Sequence, residues 1–585
     1  MRVTFRVLCI AVNCTVLFIL KSTQAEFNGD RLSPVVQTES GAVIGKIEKL
    51  PYGKSVHEYL GIPYAEPPVG KLRFAAPKPL KPWSGVKRAT KFGASCPQPS
   101  VSYRGTEINF TRSGGNIEDC LFLNVFVPAS VKPNDKMAVM VWIHGGAFAY
   151  GTASHYPAGV LATFNDVIVV SINYRLGILG FFNIPDTDYK GNYGMLDQVL
   201  ALKWVQSNIA RFGGDPNRVT IFGQSAGGMS VSLHLVSPLS KGLFHRAIMQ
   251  SGTSSSPLYC GKVTNTKQLE AFAKRINCSL GPDLVDCVRG KTVEEITKAK
   301  SGITISKSIG SQNIVGPTVD GEFLPDLPET LFKTGQFHAD VQVITGVTSN
   351  EGALFAMIMP RYQVKDGVSL EMFESVVRNG MIYGRQKRKP VEDLTLFHYT
   401  NHADPNNRIA VRQSMMNCFS DSGFIAPLVL EAKALAKIGL PPYVYVFNHR
   451  PVYSTLPDWI GVAHGMDLAL VFGAPFKNIP DLFVNALTKK YSEIDKGVSL
   501  YIMRLWTDFA KYGSPNPPDS GPSSVTWPKF TQQEQAHLII DVDPRVEHRF
   551  RAKKVAFWNE IVPNLLQPTR VRVEKFQDHT QKDEL

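Results

Sequence analysis

The pentapeptide Gly223-Gln224-Ser225-Ala226-Gly227 follows the apolar run Arg218–Phe222 and leads into Gly228-Met229-Ser230-Val231-Ser232-Leu233, a segment able to open a helix. Strand, G-x-S-x-G and helix in that order describe a nucleophile elbow, in which a sharp turn projects a serine hydroxyl out of the fold. The glycines two before and two after are demanded by space, because a side chain there would meet the neighbouring strand or helix. The three fixed positions alone would also suit an ordinary turn serine; the flanking strand and helix favour the chemical reading. A hydroxyl becomes nucleophilic when a base takes its proton, and the oxyanion it creates must be met by preorganised N–H donors. Such donors stand upstream in Trp142-Ile143-His144-Gly145-Gly146-Ala147-Phe148. The N–H groups of Gly146 and Ala147, with that of Ala226 after the serine, would form the oxyanion hole. His144 is read as structural, since its backbone neighbours rather than its ring would face the reaction.

Those loops need a scaffold that ends several strands at one place. Ala138–Ile143, Val167–Ile172 and Arg218–Phe222 are predicted as buried strands, and Leu196, Leu200, Trp204, Val205 and Ile209 recur at near-helical spacing. Ala247–Gln250, Val341–Gly346, Tyr443–Asn448 and Leu538–Val542 are further strand candidates. Alternation of this kind predicts an α/β fold with one large, mostly parallel sheet flanked by helices. No repeat or linker divides residues 26–566, which are taken as a single domain. The more polar stretches Ser254–Lys300 and Arg361–Asn407 are assigned to surface helices and loops around that core.

The chain has 585 residues, with 33 Phe, 19 Tyr and 7 Trp among 44% hydrophobic residues, which excludes a disordered or fibrous protein. Its formal charge of +13 comes from dispersed Lys and Arg, so no nucleic-acid partner is implied. Residues 1–25 carry Arg2 and Arg6, an apolar run from Val7 to Leu20, and the small residues Thr23 and Ala25, the pattern of a secretory signal peptide. Its removal takes away Arg2, Arg6 and Lys21, so the charge becomes 13 minus 3, or +10. No later stretch approaches the ~20 apolar residues of a membrane helix, which predicts a soluble chain without a span. Residues 567–585 read as a charged tail. It ends in Lys582-Asp583-Glu584-Leu585, the retrieval address read by a receptor of the endoplasmic reticulum, and this predicts a lumenal protein. In that oxidising compartment the six remaining cysteines allow about fifteen connectivities. Cys96 with Cys120 and Cys278 with Cys287 would close short loops, leaving Cys260 and Cys418. Asn109 and Asn277 open sequons for glycosylation. Nothing here indicates an oligomeric state.

Further runs widen the pattern: Tyr59-Leu60-Gly61-Ile62-Pro63-Tyr64-Ala65, Leu72-Arg73-Phe74, Glu118-Asp119-Cys120-Leu121-Phe122-Leu123-Asn124-Val125, Asn173-Tyr174-Arg175, Gly191-Asn192-Tyr193-Gly194, Asp197-Gln198 and Trp506-Thr507-Asp508-Phe509-Ala510. With the elbow and the glycine loop, they resemble the type B carboxylesterase and cholinesterase family of α/β-hydrolases over nearly the whole chain. The resemblance implies an acid at Glu351, within Gly346-Val347-Thr348-Ser349-Asn350-Glu351-Gly352, and a base at His464, within Gly461-Val462-Ala463-His464-Gly465-Met466-Asp467. The order Ser225, Glu351, His464 is the nucleophile, acid, base order of that fold. It also implies supporting positions at Ser251, Asp467 and Gln224, behind the triad. The expected chemistry is ester hydrolysis through an acyl-enzyme, with no metal and no cofactor, on a small-molecule ester.

Departures from the family pattern narrow the substrate. Ala147 stands where a third glycine is usual, so a methyl narrows the hole. The loop between Cys96 and Cys120 has no Trp to hold a quaternary ammonium, and Gln224 replaces the Glu found before the serine in cholinesterases. An apolar or xenobiotic ester is therefore expected. Gln224 together with Asp467 also resembles juvenile hormone esterases, which is the runner-up reading. A reading from another class is a non-catalytic adhesion or binding member of the same fold; the members resembling it have lost the serine that is present here.

Overall fold

The computed structural model describes residues 26–566 apart from 28–29, 100, 104–105, 109–117, 185–186, 258–265, 302–315, 359–363, 379–388, 480–487, 489 and 517–524. The leader, the tail with its Lys582–Leu585 ending, Asn109 and Cys260 lie outside the described residues.

Among the described residues, one sheet of 14 strands organises the chain. It begins with β1 (Asp30–Gln37), β2 (Ala42–Lys49), β3 (Ser55–Pro63) and β4 (Phe122–Pro128). Then come β5 (Met137–Ile143), β6 (Ile168–Ile172), β7 (Gly214–Gln224) and β8 (Arg246–Gln250). It closes with β9 (Gln342–Thr348), β10 (Tyr443–Phe447), β11 (Ala536–Ile540) and β12 (Arg545–His548). In space the order is β1-β2-β3-β4-β6-β5-β7-β8-β9-β10-β11-β12, and the short strands Glu26–Phe27 and Val86–Arg88 pair with β1 and β2. From β6 to β11 every pairing is parallel, whereas β1 to β4 and β12 join antiparallel. This is the α/β-hydrolase arrangement, a mostly parallel sheet clothed by helices.

The central strands read as unbroken apolar runs because both faces are covered, as buried parallel strands require. Side chains alternate between those faces. Val139, Val141 and Ile143 of β5 pack with Val199, Leu202 and Val205 of α1 (Tyr193–Asn208) and with Met229 and Leu233 of α2 (Ala226–Val236). Met140 and Trp142 point the other way, into a cluster with Phe222, Ile248, Tyr445 and the Ile502, Trp506 and Phe509 face of a later helix. Two further helices, α3 (Arg408–Ser420) and α4 (Ala426–Lys437), bring Phe419, Leu428 and Val429 to Val347, Val444 and Val446 at the C-terminal side of the sheet. The helix carrying Trp506 is α5 (Glu493–Tyr512). It starts on a capping box, with Ser492 and Asp495 satisfying each other's backbone N–H, and ends at Gly513 in the left-handed conformation.

The predicted strands all occur, with ends displaced by one to four residues, as at β7 and β11. The antiparallel N-terminal strands lie outside the sequence expectation: β2 alternates buried with half-exposed, charged residues and lacks a continuous apolar run, whereas β4 is a nearly fully buried run that the expectation omits. One expectation is corrected. The stretch from Ser254 onward does form the helices Thr266–Arg275 and Leu284–Arg289, but Ser254, Ser255 and Ser256 themselves are buried. They are drawn inward by hydrogen bonding: Ser254 Oγ and the Ser255 N–H donate to Glu431 of α4, and Ser232 Oγ of α2 donates to the same carboxylate. Both proposed disulfides, Cys96–Cys120 and Cys278–Cys287, are present. Cys418 is a buried free thiol whose pKa burial pushes up. Asn277 is exposed. No helix among the described residues is long and apolar enough to cross a membrane.

Candidate active site

Parallel pairing brings the C-terminal ends of five strands together. Gly223 of β7 lies opposite Ile143 of β5, Gln224 opposite Gln250 of β8, Gln250 opposite Gly346 of β9, and Thr348 of β9 opposite Phe447 of β10. Loops leaving these ends converge, so residues far apart in sequence share one site.

Ser225 sits between β7 and α2 at φ 58° and ψ −124°, a conformation costly for a side-chain-bearing residue. The backbone holds it from both sides: its N–H donates to Gln250 O (2.9 Å) and its C=O accepts from Met229 N (2.8 Å). The space argument for the glycines is met in full. A Cβ on Gly223 would lie 2.5 Å from Gly227, and one on Gly227 would lie 2.0 Å from the Ile143 carbonyl. Gly252 is an addition that the sequence pattern did not flag, since its Cβ would lie 2.1 Å from the Ser225 carbonyl.

The glycine loop lies directly against this elbow. A Cβ on Gly145 would come within 2.5 Å of Gln224 O and 3.1 Å of Ser225 Cβ. Gly146 takes φ 111°, and Ala147 and Phe148 take φ 56° and 55°. The turn is closed by Ala149 and Tyr150, whose N–H groups donate to Gly146 O. Among the described residues, no protein acceptor is drawn for the N–H groups of Gly146 and Ala147. Ala226 is the first residue of α2, where a helix leaves its N–H groups without intrahelical acceptors. His144 is structural in its surroundings. Its ring stacks on Tyr174 at 4.5 Å, its Nδ1 donates to Gly145 O, and burial pushes its pKa down to about 4. Tyr174 in turn donates its hydroxyl to His144 O, and next to it Arg175 forms a buried ion pair with Asp197 at 2.7 Å. The run Asn173-Tyr174-Arg175, backed by Asp197, thus buttresses the glycine loop, whereas Gln198 bonds Ser230 and His234 of α2.

Glu351 follows β9 and His464 lies in the loop beyond β10. An isolated parallel bridge between Asn350 and Ala463, with Asn350 N donating to Val462 O (3.0 Å), zips these loops together. His464 Nδ1 then donates to Glu351 Oε2 at 2.5 Å, while Thr348 N donates to the other carboxylate oxygen at 2.7 Å. Both side chains are buried, and Phe424 packs on the imidazole with ring centroids 5.0 Å apart. On the far nitrogen the structure departs from expectation. His464 Nε2 accepts from the side-chain amide of Gln224 at 2.9 Å, and no hydrogen bond among the described residues joins it to Ser225.

Asp467 is fully buried behind the pair and is held by Gln250 Nε2 at 2.7 Å; Gln250 Oε1 accepts from Trp506 Nε1. Burial pushes its carboxyl up to about 6, the Gln250 hydrogen bond and His464 working against that and Glu351 with it. Ser251 donates its N–H to Gly346 O, but its hydroxyl finds no partner among the described residues and is not drawn toward the triad. The buried link from this level of the sheet is Gln250, which sequence reasoning missed; its only sequence signal is its place at the end of a predicted strand. Hydroxyl, imidazole, carboxylate and a loop of unpaired N–H groups together form a set able to perform acyl transfer.

The Carboxylesterase family model matches residues 32–558. Among curated proteins, Neuroligin-3 of Mus musculus is 35% identical, the alignment covering 96% of this chain and 72% of its own. Neuroligin-2 of Homo sapiens is 36% identical over 92% of this chain and 68% of its own, and Neuroligin-2 of Rattus norvegicus has the same identity and coverage.

Proposed function

Because this chain belongs to the carboxylesterase family, we propose that it is a serine carboxylesterase that hydrolyses apolar or xenobiotic esters through an acyl-enzyme. The observation that carries this reading is Ser225 on its strained elbow, packed against the glycine loop, with the His464–Glu351 pair beside it. In the first half-reaction His464 Nε2 accepts the Ser225 proton as Oγ attacks the ester carbonyl, and Glu351 holds the imidazole and its developing cation. Gly146, Ala147 and Ala226 donate to the oxyanion. Collapse expels the alcohol, which leaves with the proton from His464. Water, deprotonated by the same nitrogen, attacks the acyl-serine and releases the acid. Gln224 and Asp467 keep the juvenile hormone type of apolar methyl ester within the substrate range.

A second reading is a non-catalytic binding member of the same fold. The comparisons favour it, since the three curated relatives given above are neuroligins and none carries an esterase name. One experiment separates the two. The purified protein is given short-chain aryl esters and a neutral organophosphate, beside Ser225→Ala. Turnover and labelling that vanish with Ser225→Ala support the enzyme; a native protein that neither turns over nor labels overturns it in favour of binding. Location is part of the same proposal: signal peptide and Lys582–Leu585 favour retrieval to the endoplasmic reticulum. Deleting those four residues is expected to send the protein into the medium, and equal secretion of the full chain refutes retention.

A further inference from the structure

The contact between Gln224 and His464 is not part of the triad scheme, and it occupies the atom that scheme needs. We propose that Gln224 is a positioning residue whose side-chain amide holds Nε2 of His464, fixing the neutral imidazole and competing with the Ser225 hydroxyl for its lone pair. The inference rests on the esterase reading for its catalytic meaning, though not for its geometry.

His464 Nδ1 faces the Glu351 carboxylate at 2.5 Å, an acceptor, so Nδ1 carries a hydrogen. A carboxamide nitrogen only donates, so the 2.9 Å approach of Gln224 Nε2 requires a bare lone pair on His464 Nε2. The two side chains are 5% and 8% exposed, which leaves little water to take either role. Gln224 has little freedom to withdraw. It is the last residue of β7, paired with Gln250, and its carbonyl and Oε1 lie against Gly145, where a Cβ would come within 2.5 and 3.2 Å of them. That arrangement points Oε1 at the glycine loop and the NH2 group at the histidine.

A single lone pair cannot serve two donors well. While Gln224 holds it, Ser225 lacks a base; when His464 accepts the serine proton, Nε2–H and the amide N–H would face each other. The amide must then turn its oxygen to the ring or give way. Gln224 therefore favours the neutral imidazole. The other charged groups facing the ring are Glu351 at Nδ1 and Asp467 behind it, and both favour the cation; Phe424 is apolar and Tyr445, beside the two carboxylates, is neutral. Burial and the apolar face of Phe424 work in the same direction by withholding water from the cation, but Gln224 is the neighbour that does so by occupying the lone pair the base needs.

The test is an NMR titration of the full chain labelled at histidine Cε1, with His464 identified by the resonance missing from His464→Gln. Gln224→Leu removes the donor at similar size and Gln224→Met does so with an unbranched chain, should the leucine variant fail to fold. Gln224→Glu replaces the donor with a carboxylate. The pKa of His464 is expected to rise by about 0.5–1 pH unit in the apolar variant, the worth of one neutral hydrogen bond, and further in Gln224→Glu. No change, or a fall, in the apolar variant overturns the proposal. Aryl-ester kinetics run beside it read the other question. A rise in the acid-limb pKa of kcat/KM that tracks the titration, with a rate above that limb about 2–10 fold higher in the apolar variant, supports both. Absence of turnover with the titration shift intact removes the esterase reading and leaves the Gln224 contact standing. Turnover with an unmoved titration does the reverse.

Discussion

Gly227→Ala probes the packing that makes the elbow possible. The added Cβ would sit 2.0 Å from the Ile143 carbonyl and 3.0 Å from the His144 carbonyl group, where ordinary contact begins at 3.4 Å. The shortfall of about 1.4 Å is against backbone on both sides, so no rotamer can relieve it. Either α2 lifts from β5 or the strand end gives way. Overpacking of this kind costs about 1–3 kcal/mol, which shifts the urea midpoint without changing the m-value. The same displacement moves the Ala226 N–H and Ser225 by about 1 Å, enough to lower kcat/KM for an aryl ester about 100-fold. The control is Gly497→Ala, on the exposed face of α5 with nothing within 4 Å of its added Cβ. That change is expected to stabilise by about 0.5–1 kcal/mol and leave the rate alone. A Gly227→Ala protein with wild-type midpoint and rate would refute the steric account of the motif.

Ala147→Gly is expected to raise stability by about 0.5–1 kcal/mol, because φ 56° suits glycine better than alanine, and to widen acceptance of bulky acyl groups; melting and an acyl-length series check both. Arg175→Ala strands the buried Asp197 carboxylate and is expected to cost about 3–5 kcal/mol by denaturation, much of it recovered in the Arg175→Met, Asp197→Leu double variant. Asp467 has its folded pKa raised to about 6 from an ordinary value near ~4, so its contribution is fully present below pH ~4 and is lost as pH rises through about 6. Asp467→Asn is therefore expected to remove roughly 3 kcal/mol of the fall in stability between pH ~4 and ~6; an unchanged slope there would refute it.

The parts legible in the sequence are those in which backbone geometry dictates residue type. Gly223, Gly227 and the Gly145-Gly146 pair are fixed by contacts too short for any side chain, and β5 to β9 announce themselves because burial on both faces makes them unbroken apolar runs. Glu351 and His464 were reachable by resemblance alone. They meet through one bridge between loops 113 residues apart, and no local pattern encodes a contact of that range. Gln250, and the bond from Gln224 to His464, escaped for another reason, although Gln224 itself is read from the sequence as a supporting residue. A glutamine at a strand end is compatible with many partners, and which one it finds depends on how strands from the whole chain register. The polar run at Ser254 misled because its hydroxyls answer to Glu431, a partner 177 residues away from Ser254.

The strand order also sets a schedule for synthesis. From β7 onward each strand is laid beside the one made before it, so the sheet grows outward at a single edge as the chain emerges. After β9, however, 94 residues pass between Thr348 and Tyr443 before β10 can cover it. At ~5–20 residues per second the nascent chain carries an open, apolar β9 edge for about 5–20 s. That bare edge, rich in Val343, Ile344 and Val347, can template pairing with another unfinished chain. Glu351 is already made in that interval and His464 is not, so the period of greatest aggregation risk is also one in which the acid has no base to hold.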